Sequence, residues 1–163
     1  MTGFALLERR MSPAAKTGIL FGMLKTLFRT MLSLMIWLYR RTGGKIGGTM
    51  QGLPVLLLTT TGRKTGRQRV TPLGYLEHDG AYVVIASNAG FDKHPAWYHN
   101  LKSHPQVALQ IRDRQLTAIA EPADPSLRAQ LWARLVELAP VYAAYEKRTT
   151  RVIPLVLLQP LSR

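Results

Sequence analysis

The sequence predicts an α+β fold: an antiparallel barrel of about six strands, helices packed on its side, and an amphipathic helix in front. Three observations predict it. After Pro54, short apolar runs outnumber helical patterns. The links between those runs are short and carry turn residues, so most strands pair antiparallel. Before Pro54 the apolar period is helical instead.

The leading helix is expected over Thr17 to Tyr39. Leu20, Leu24, Leu27, Phe28, Met31, Met35 and Leu38 recur at helical spacing, and Gly18, Gly22, Lys25, Arg29, Ser33 and Arg40 fall opposite. Its length would span a bilayer, yet Lys25 and Arg29 sit mid-helix, and each central charge costs roughly 2.5–3.5 kcal/mol on insertion scales. Spanning is therefore disfavoured. A signal peptide fits poorly as well, because the same charges interrupt the apolar stretch. Two readings stand: the apolar face packs on the rest of the domain, or it lies on an anionic membrane through residues 17–41. Gly43, Gly44, Gly47 and Gly48 then break the helix, which reads as a hinge. The spacing is not a dinucleotide fingerprint. This divides the chain into residues 1–48, a helix and link, and residues 49–163, the barrel.

The strands follow in order. Val55 to Thr60 suits a buried strand, and Arg69 to Glu77 and Ala81 to Ser87 form a hairpin across His78-Asp79-Gly80. Val107 to Arg112 and Leu116 to Glu121 form another across Asp113, Arg114 and Gln115. Val152 to Gln159 supplies the last strand, with Pro154 near its start. Two helices intervene. One runs from His94 to Ser103 with Pro95 in its first turn. The other runs from Ser126 to Leu138 behind Asp124-Pro125, a cap and an N1 proline. Leu127, Leu131, Leu135 and Leu138 should form its buried stripe, joined by Trp132.

Composition narrows function. Hydrophobic residues at 47% against 19% charged place the chain among globular proteins, and its lack of cysteine excludes disulfides, thiolate metal sites and cysteine nucleophiles. Net charge is +13. Residues 1–48 carry Arg9, Arg10, Lys16, Lys25, Arg29, Arg40, Arg41 and Lys45 against Glu8, so the excess is split between two regions. Anionic lipid, a polyanionic small molecule or nucleic acid would each suit it.

Three segments can carry chemistry. Thr59 to Arg69 ends a strand in hydroxyls and enters a loop with Thr61, Gly62, Arg63, Lys64, Thr65 and Gly66. Backbone N–H groups, hydroxyls and guanidinium forks suit phosphate and carboxylate oxygens. The loop is not a Walker motif, since only three residues separate its glycines. A solvated basic hairpin is the bland alternative. Ala86 to Leu101 runs from a strand through small residues to a helix start, where N–H groups face outward. His94, His99 and His104 are five apart and fall on different helix faces, so no metal site is expected. Tyr142 and Tyr145 share a face if helical. Their hydroxyls either line a pocket or seal the barrel. No serine triad or paired carboxylates support hydrolysis.

Together, LLLTTTGRKTGRQRVTPL, VVIASNAGFDKHPAWYHNLKSHP and YAAYEKRTTRVIPLVLLQP resemble, in that order, the deazaflavin (coenzyme F420)-dependent nitroreductase family, actinobacterial reductases on a split β-barrel. The similarity covers about Tyr39 to Pro160. It implies that Thr61 to Gly66 hold the phosphate and oligoglutamate tail of F420, with Arg69 and Pro72 continuing that wall. Ser87, Asn88, Ala89 and Gly90 would contact the deazaflavin side, with Ala96, Trp97 and Tyr98 closing the site. Ser87, Tyr142 and Tyr145 match substrate-pocket positions and are the catalytic candidates. The implied activity is hydride transfer from reduced F420 to quinone-like or nitroaromatic acceptors, in the cytoplasm or peripherally on the inner face of the membrane. The chain departs from the family pattern at Gly74 and Ala139, where aromatics are common, and both changes should widen the pocket. The alternatives are an FMN-dependent reductase, which would not need so many cations, and a non-enzymatic cofactor or lipid carrier. A nucleic-acid partner ranks last, because no recognised module is present.

Overall fold

A computed structural model describes residues 13–161, so Arg9, Arg10 and Glu8 lie outside the described residues. The chain divides between Trp37 and Leu38 into two compact units. The first is the body of a helix, α1 (Pro13–Thr42), longer at both ends than the apolar pattern suggested. From Leu20 to Met31 the expected stripe is exposed; Met35 and Leu38 are half-buried. Phe21, Met23, Leu34 and Trp37 are exposed too, so the apolar surface is wider than one stripe.

The second unit begins with the last turns of α1 and contains seven strands: β1 (Thr49–Met50), β2 (Leu53–Thr61), β3 (Gln68–His78), β4 (Ala81–Ile85), β5 (Gln106–Ile111), β6 (Arg114–Pro122) and β7 (Leu155–Pro160). Their order is β1-β2-β3-β4-β7-β6-β5, and β5 returns to pair with β2. All pairings are antiparallel. Six strands thus close a barrel, with β1 as an added flap. The expected α+β barrel is the observed one.

Period-2 alternation gives the barrel two cores. Leu56, Leu58, Val84, Leu109, Val156 and Leu158 fill its interior. Leu53, Leu76, Val83, Ile85 and Leu155 point outward and pack under α3 (Pro125–Leu138) and α4 (Val141–Lys147). Each fully buried Leu or Val is worth roughly 1.5–3 kcal/mol. A one-residue slip of β4 would exchange the two cores, so its register is strongly held.

Local chemistry sets the boundaries. Asp79 and Gly80, at φ 48° and 78°, make the tight β3–β4 turn that the sequence predicted. Asp124 caps α3, its carboxylate accepting from the Ser126 and Leu127 N–H groups at 2.9 and 3.0 Å. Trp132 donates its indole N–H to Glu146 at 2.9 Å and ties α3 to α4.

Several boundaries differ from expectation. The β5–β6 turn is the pair Arg112-Asp113, not Asp113 to Gln115, because Arg112 takes a left-handed φ of 56° and Ile111 pairs with Arg114. Strand β4 stops at Ile85, so Ser87 lies beyond the sheet. Helix α2 (Ala96–Ser103) starts two residues late, since extended Pro95 is its cap and leaves His94 outside. Strand β7 begins at Leu155, because Val152 is solvent-exposed. Leu138 is 52% exposed and drops out of the α3 stripe, whose buried members are Leu131, Trp132 and Leu135. Tyr39, at the end of α1, is 1% exposed; its hydroxyl donates to the Val55 carbonyl at 2.8 Å and accepts from the Arg112 N–H at 2.9 Å.

Candidate active site

Two neighbourhoods carry the polar chemistry. The first is the loop between β2 and β3. Gly62 and Gly66 N–H groups donate at 2.8 Å to the Arg67 and Gly62 carbonyls, and Gly66 has φ 65°. A Cβ on Gly62 would meet the Thr65 hydroxyl at 2.9 Å, so only glycine permits this curl. Arg63, Lys64, Arg67 and Arg69 are exposed. None has a carboxylate partner among the described residues, whose ion pairs are His78–Asp79 and Arg128–Glu146. Below the loop, buried Asn100 accepts from the Arg63 N–H at 3.2 Å and donates to Thr60 at 3.1 Å. Sequence reasoning gave Asn100 no role. A buried amide with both ends satisfied holds the loop in one shape.

The second is a cavity of about 300 Å³ walled by β1, β3, α4 and the segment after β4. Ser87, Asn88, Ala89, Trp97, Tyr142 and Tyr145 line it, and Gly90 does not. Gly74 lines it too; a Cβ there would press on Leu53 at 3.2 Å and approach the Tyr142 hydroxyl at 3.6 Å, so glycine lets Leu53 pack close to this strand. Ala139 does not. It is buried in the outer core and cannot widen the pocket. Pro72, Ala96 and Tyr98 are also absent from the wall; Pro72 pairs with Leu57 on the neighbouring strand, and the Tyr98 ring packs on His94. Pro95, Gln51 and Met50 take part without having been anticipated.

The segment after β4 is shaped by backbone constraint. Asn88, Ala89 and Gly90 have φ of 48°, 53° and 78°. A side chain on Gly90 would sit 2.7 Å from the Tyr145 carbonyl, so glycine lets this segment pack on α4. Asn88 spends its amide N–H on the Lys93 carbonyl at 2.8 Å. Ser87 makes no side-chain cap, which leaves its hydroxyl for the cavity. Arg151 clamps the whole segment: it donates to the Ala86, Ser87 and Phe91 carbonyls at 3.1, 2.7 and 2.9 Å. Its fourth contact, at 3.1 Å, is His94 Nδ1. A guanidinium only donates, so that nitrogen accepts and the imidazole is neutral. Burial first, then Arg151, lowers the His94 pKa.

The donors facing the cavity are neutral. Tyr142 is 4% exposed, and burial, helped by Tyr145, pushes its pKa up to about 12. It keeps its proton at any physiological pH and acts as a hydrogen-bond donor, not as a base. Tyr145 meets it edge-on, with ring centroids 5.6 Å apart. A larger groove of about 870 Å³ runs over the outside of β2, β5 and β6. It shares no residue with this cavity, and its wall is mostly Gln, Leu and Thr.

An open cationic loop and a half-open cavity with neutral donors on an antiparallel barrel fit one class, the split-barrel oxidoreductases that take an anionic cofactor. The sequence model of the F420H(2)-dependent quinone reductases matches residues 31–160. An F420H(2)-dependent quinone reductase of Mycobacterium tuberculosis is 41% identical over 125 residues, 74% of this chain and 84% of that protein. A solved F420-H2 dependent reductase superposes with TM-score 0.60 at 39% identity, over 65% of this chain and 94% of its own. A chain described as a domain-swapped dimer gives the same TM-score at 38% identity, over 69% and 89%. The chain belongs to the F420H(2)-dependent quinone reductase family. It is an oxidoreductase whose cofactor is reduced coenzyme F420. The unpaired cations and the glycine curl of the β2–β3 loop fit the phosphate and carboxylates of that cofactor.

Proposed function

We propose that the protein reduces quinone-like acceptors in the Ser87–Tyr145 cavity, with the β2–β3 loop gripping the cofactor tail. The observation that carries this reading is the pairing of a neutral donor cavity with a cationic loop that has no carboxylate partner among the described residues. Reduced F420 supplies hydride when bound. The chain's residues do the rest. Arg63, Lys64, Thr65, Gly66 and Arg69 bind the tail, and Asn100 holds their loop in shape. Ser87, Asn88, Ala89 and Trp97 form the slot for the ring, with Gly90 packing their segment on α4, and shield it from water. As hydride arrives, negative charge grows on the acceptor oxygen, and the Tyr142, Tyr145 and Ser87 hydroxyls are the donors that stabilise it. A proton taken up from water through this site completes the hydroquinone.

Nitroaromatics form a second acceptor class. We assign residues 1–48 as the helix and its glycine link, and 49–163 as the catalytic barrel, with Tyr39 as the anchor between sequence segments. The exposed apolar residues of α1, together with Lys25, Arg29, Arg40 and Arg41, favour a peripheral position on the anionic inner face of the cytoplasmic membrane. Leu20–Thr42 is long and apolar enough to cross a bilayer, but the cost of Lys25 and Arg29 argues for lying on it. The test is steady-state oxidation of F420H2 with menadione and with a nitroaromatic. Turnover of menadione is expected; saturable F420 binding without turnover of either acceptor would overturn the reading.

A further inference from the structure

The β1–β2 hairpin is an unusual tight turn. Met50 pairs with Leu53, so Gln51 and Gly52 are its two turn residues, with φ of 54° and 85°. Such a turn favours Asn or Asp followed by Gly. A glutamine in the left-handed region costs roughly 1 kcal/mol relative to a residue at ease there. The longer side chain gains reach in exchange. Its amide Nε2 donates to the Tyr145 hydroxyl at 2.6 Å, across 94 positions of sequence, and both residues line the cavity.

We infer that Gln51 is a positioning residue for the reductase: its amide N–H occupies a lone pair of the Tyr145 oxygen, so the Tyr145 O–H points into the cavity as a donor to the acceptor's carbonyl oxygen. This rests on the quinone-reductase reading and names the part of the site that meets the oxygen. The physical reason is direction. A free phenol hydroxyl rotates and both donates and accepts, whereas one that already accepts an amide N–H has its proton committed elsewhere. Chained donors also polarise one another, which strengthens the terminal bond as charge develops. Tyr142, buried and with a pKa of about 12, is a second donor that needs no such partner.

Two variants separate this role from a structural one. Gln51→Asn suits the turn better but is one methylene too short to reach Tyr145. Gln51→Glu keeps the length and reverses the bond, since a carboxylate accepts the Tyr145 proton and turns it away from the cavity. With F420H2 and menadione at pH 8, both should lower kcat roughly 10- to 100-fold with unchanged F420 affinity. The Gln51→Glu loss, taken as a ratio to the parent at each pH, should shrink as acid protonates the new carboxyl. Neither variant should lower kcat further in a Tyr145→Phe background. A parent-like kcat for Gln51→Asn, a pH-independent loss for Gln51→Glu, or full additivity with Tyr145→Phe would overturn the assignment. Failure of the parent to reduce menadione would instead sink the quinone reading. Gln51 is then decided by menadione quenching of tryptophan fluorescence in the F420-loaded protein. Several-fold weaker binding in Gln51→Glu at pH 8 sustains the role, and equal binding removes it.

Discussion

The cationic loop and the donor cavity solve opposite electrostatic problems. Arg63, Lys64, Arg67 and Arg69 stand in the open, where exposed charge is cheap to keep and weakened by salt. Tyr142 is buried and held neutral by its surroundings. A polyanionic tail can be gripped through water by charge. An oxygen that becomes negative only during the reaction is better met by fixed neutral donors, which cost less to desolvate beforehand. On the proposed function the two regions would divide the labour: one would set affinity, the other rate.

The strongest way to break that division is to remove the cavity donors. Ser87→Ala combined with Tyr145→Phe should lower kcat about 100-fold or more while leaving F420 affinity within a few-fold, read by turnover and by fluorescence titration. Loss of affinity instead would mean that the two regions are not separate. Arg63→Ala with Lys64→Ala should act the other way, weakening F420 binding by roughly 10- to 100-fold, with an affinity that falls less steeply with salt than in the parent. A parent-like salt dependence would place the tail elsewhere.

Asn100→Ala tests whether the loop must be pre-shaped. It leaves Thr60 and the Arg63 N–H without their partner, and should cost about 1–3 kcal/mol of stability and a few-fold in F420 affinity, measured by denaturation and titration. Smaller still is a pH effect. Because the folded Tyr142 pKa of about 12 lies above the usual 10, the protein favours the protonated phenol. That stability is complete below pH 10 and fades as pH rises from 10 towards 12, by up to ~3 kcal/mol. Tyr142→Phe should flatten this part of the stability curve relative to the parent. At the other end, the lowered His94 pKa means that its share of stability is present above pH 6.5 and is lost as acid charges the ring beside Arg151. The helix is the mildest case for catalysis: removal of residues 1–37, which spares Tyr39, should abolish liposome association and leave menadione turnover nearly unchanged.

Much of the barrel was legible in the residues because strand alternation, turn pairs and helix caps are local. His78-Asp79-Gly80 and Asp124-Pro125 announce their turn and cap within a few positions. The boundary errors came where a local signal had a competitor. Arg112 accepts a left-handed φ that Asp113 seemed better placed to supply, and exposed Leu138 follows helical spacing yet falls where α3 ends. The exposed loop cations and the tyrosine pair were also readable, since residue type and spacing mark a charged loop and a shared helix face, while the cofactor role came from the resemblance.

What the sequence by itself determined is therefore the inventory: two charge-rich regions, a barrel's alternation, and a set of hydroxyls and cations fit for an anionic cofactor. Only the tertiary structure decided which of them meet. Gln51 reaches Tyr145 across 94 residues, Arg151 gathers three carbonyls around Ser87, and Asn100 props the cationic loop. None of these pairs is marked by local periodicity, because a side-chain contact between distant segments depends on how the barrel closes, and closure is a property of all six strands together.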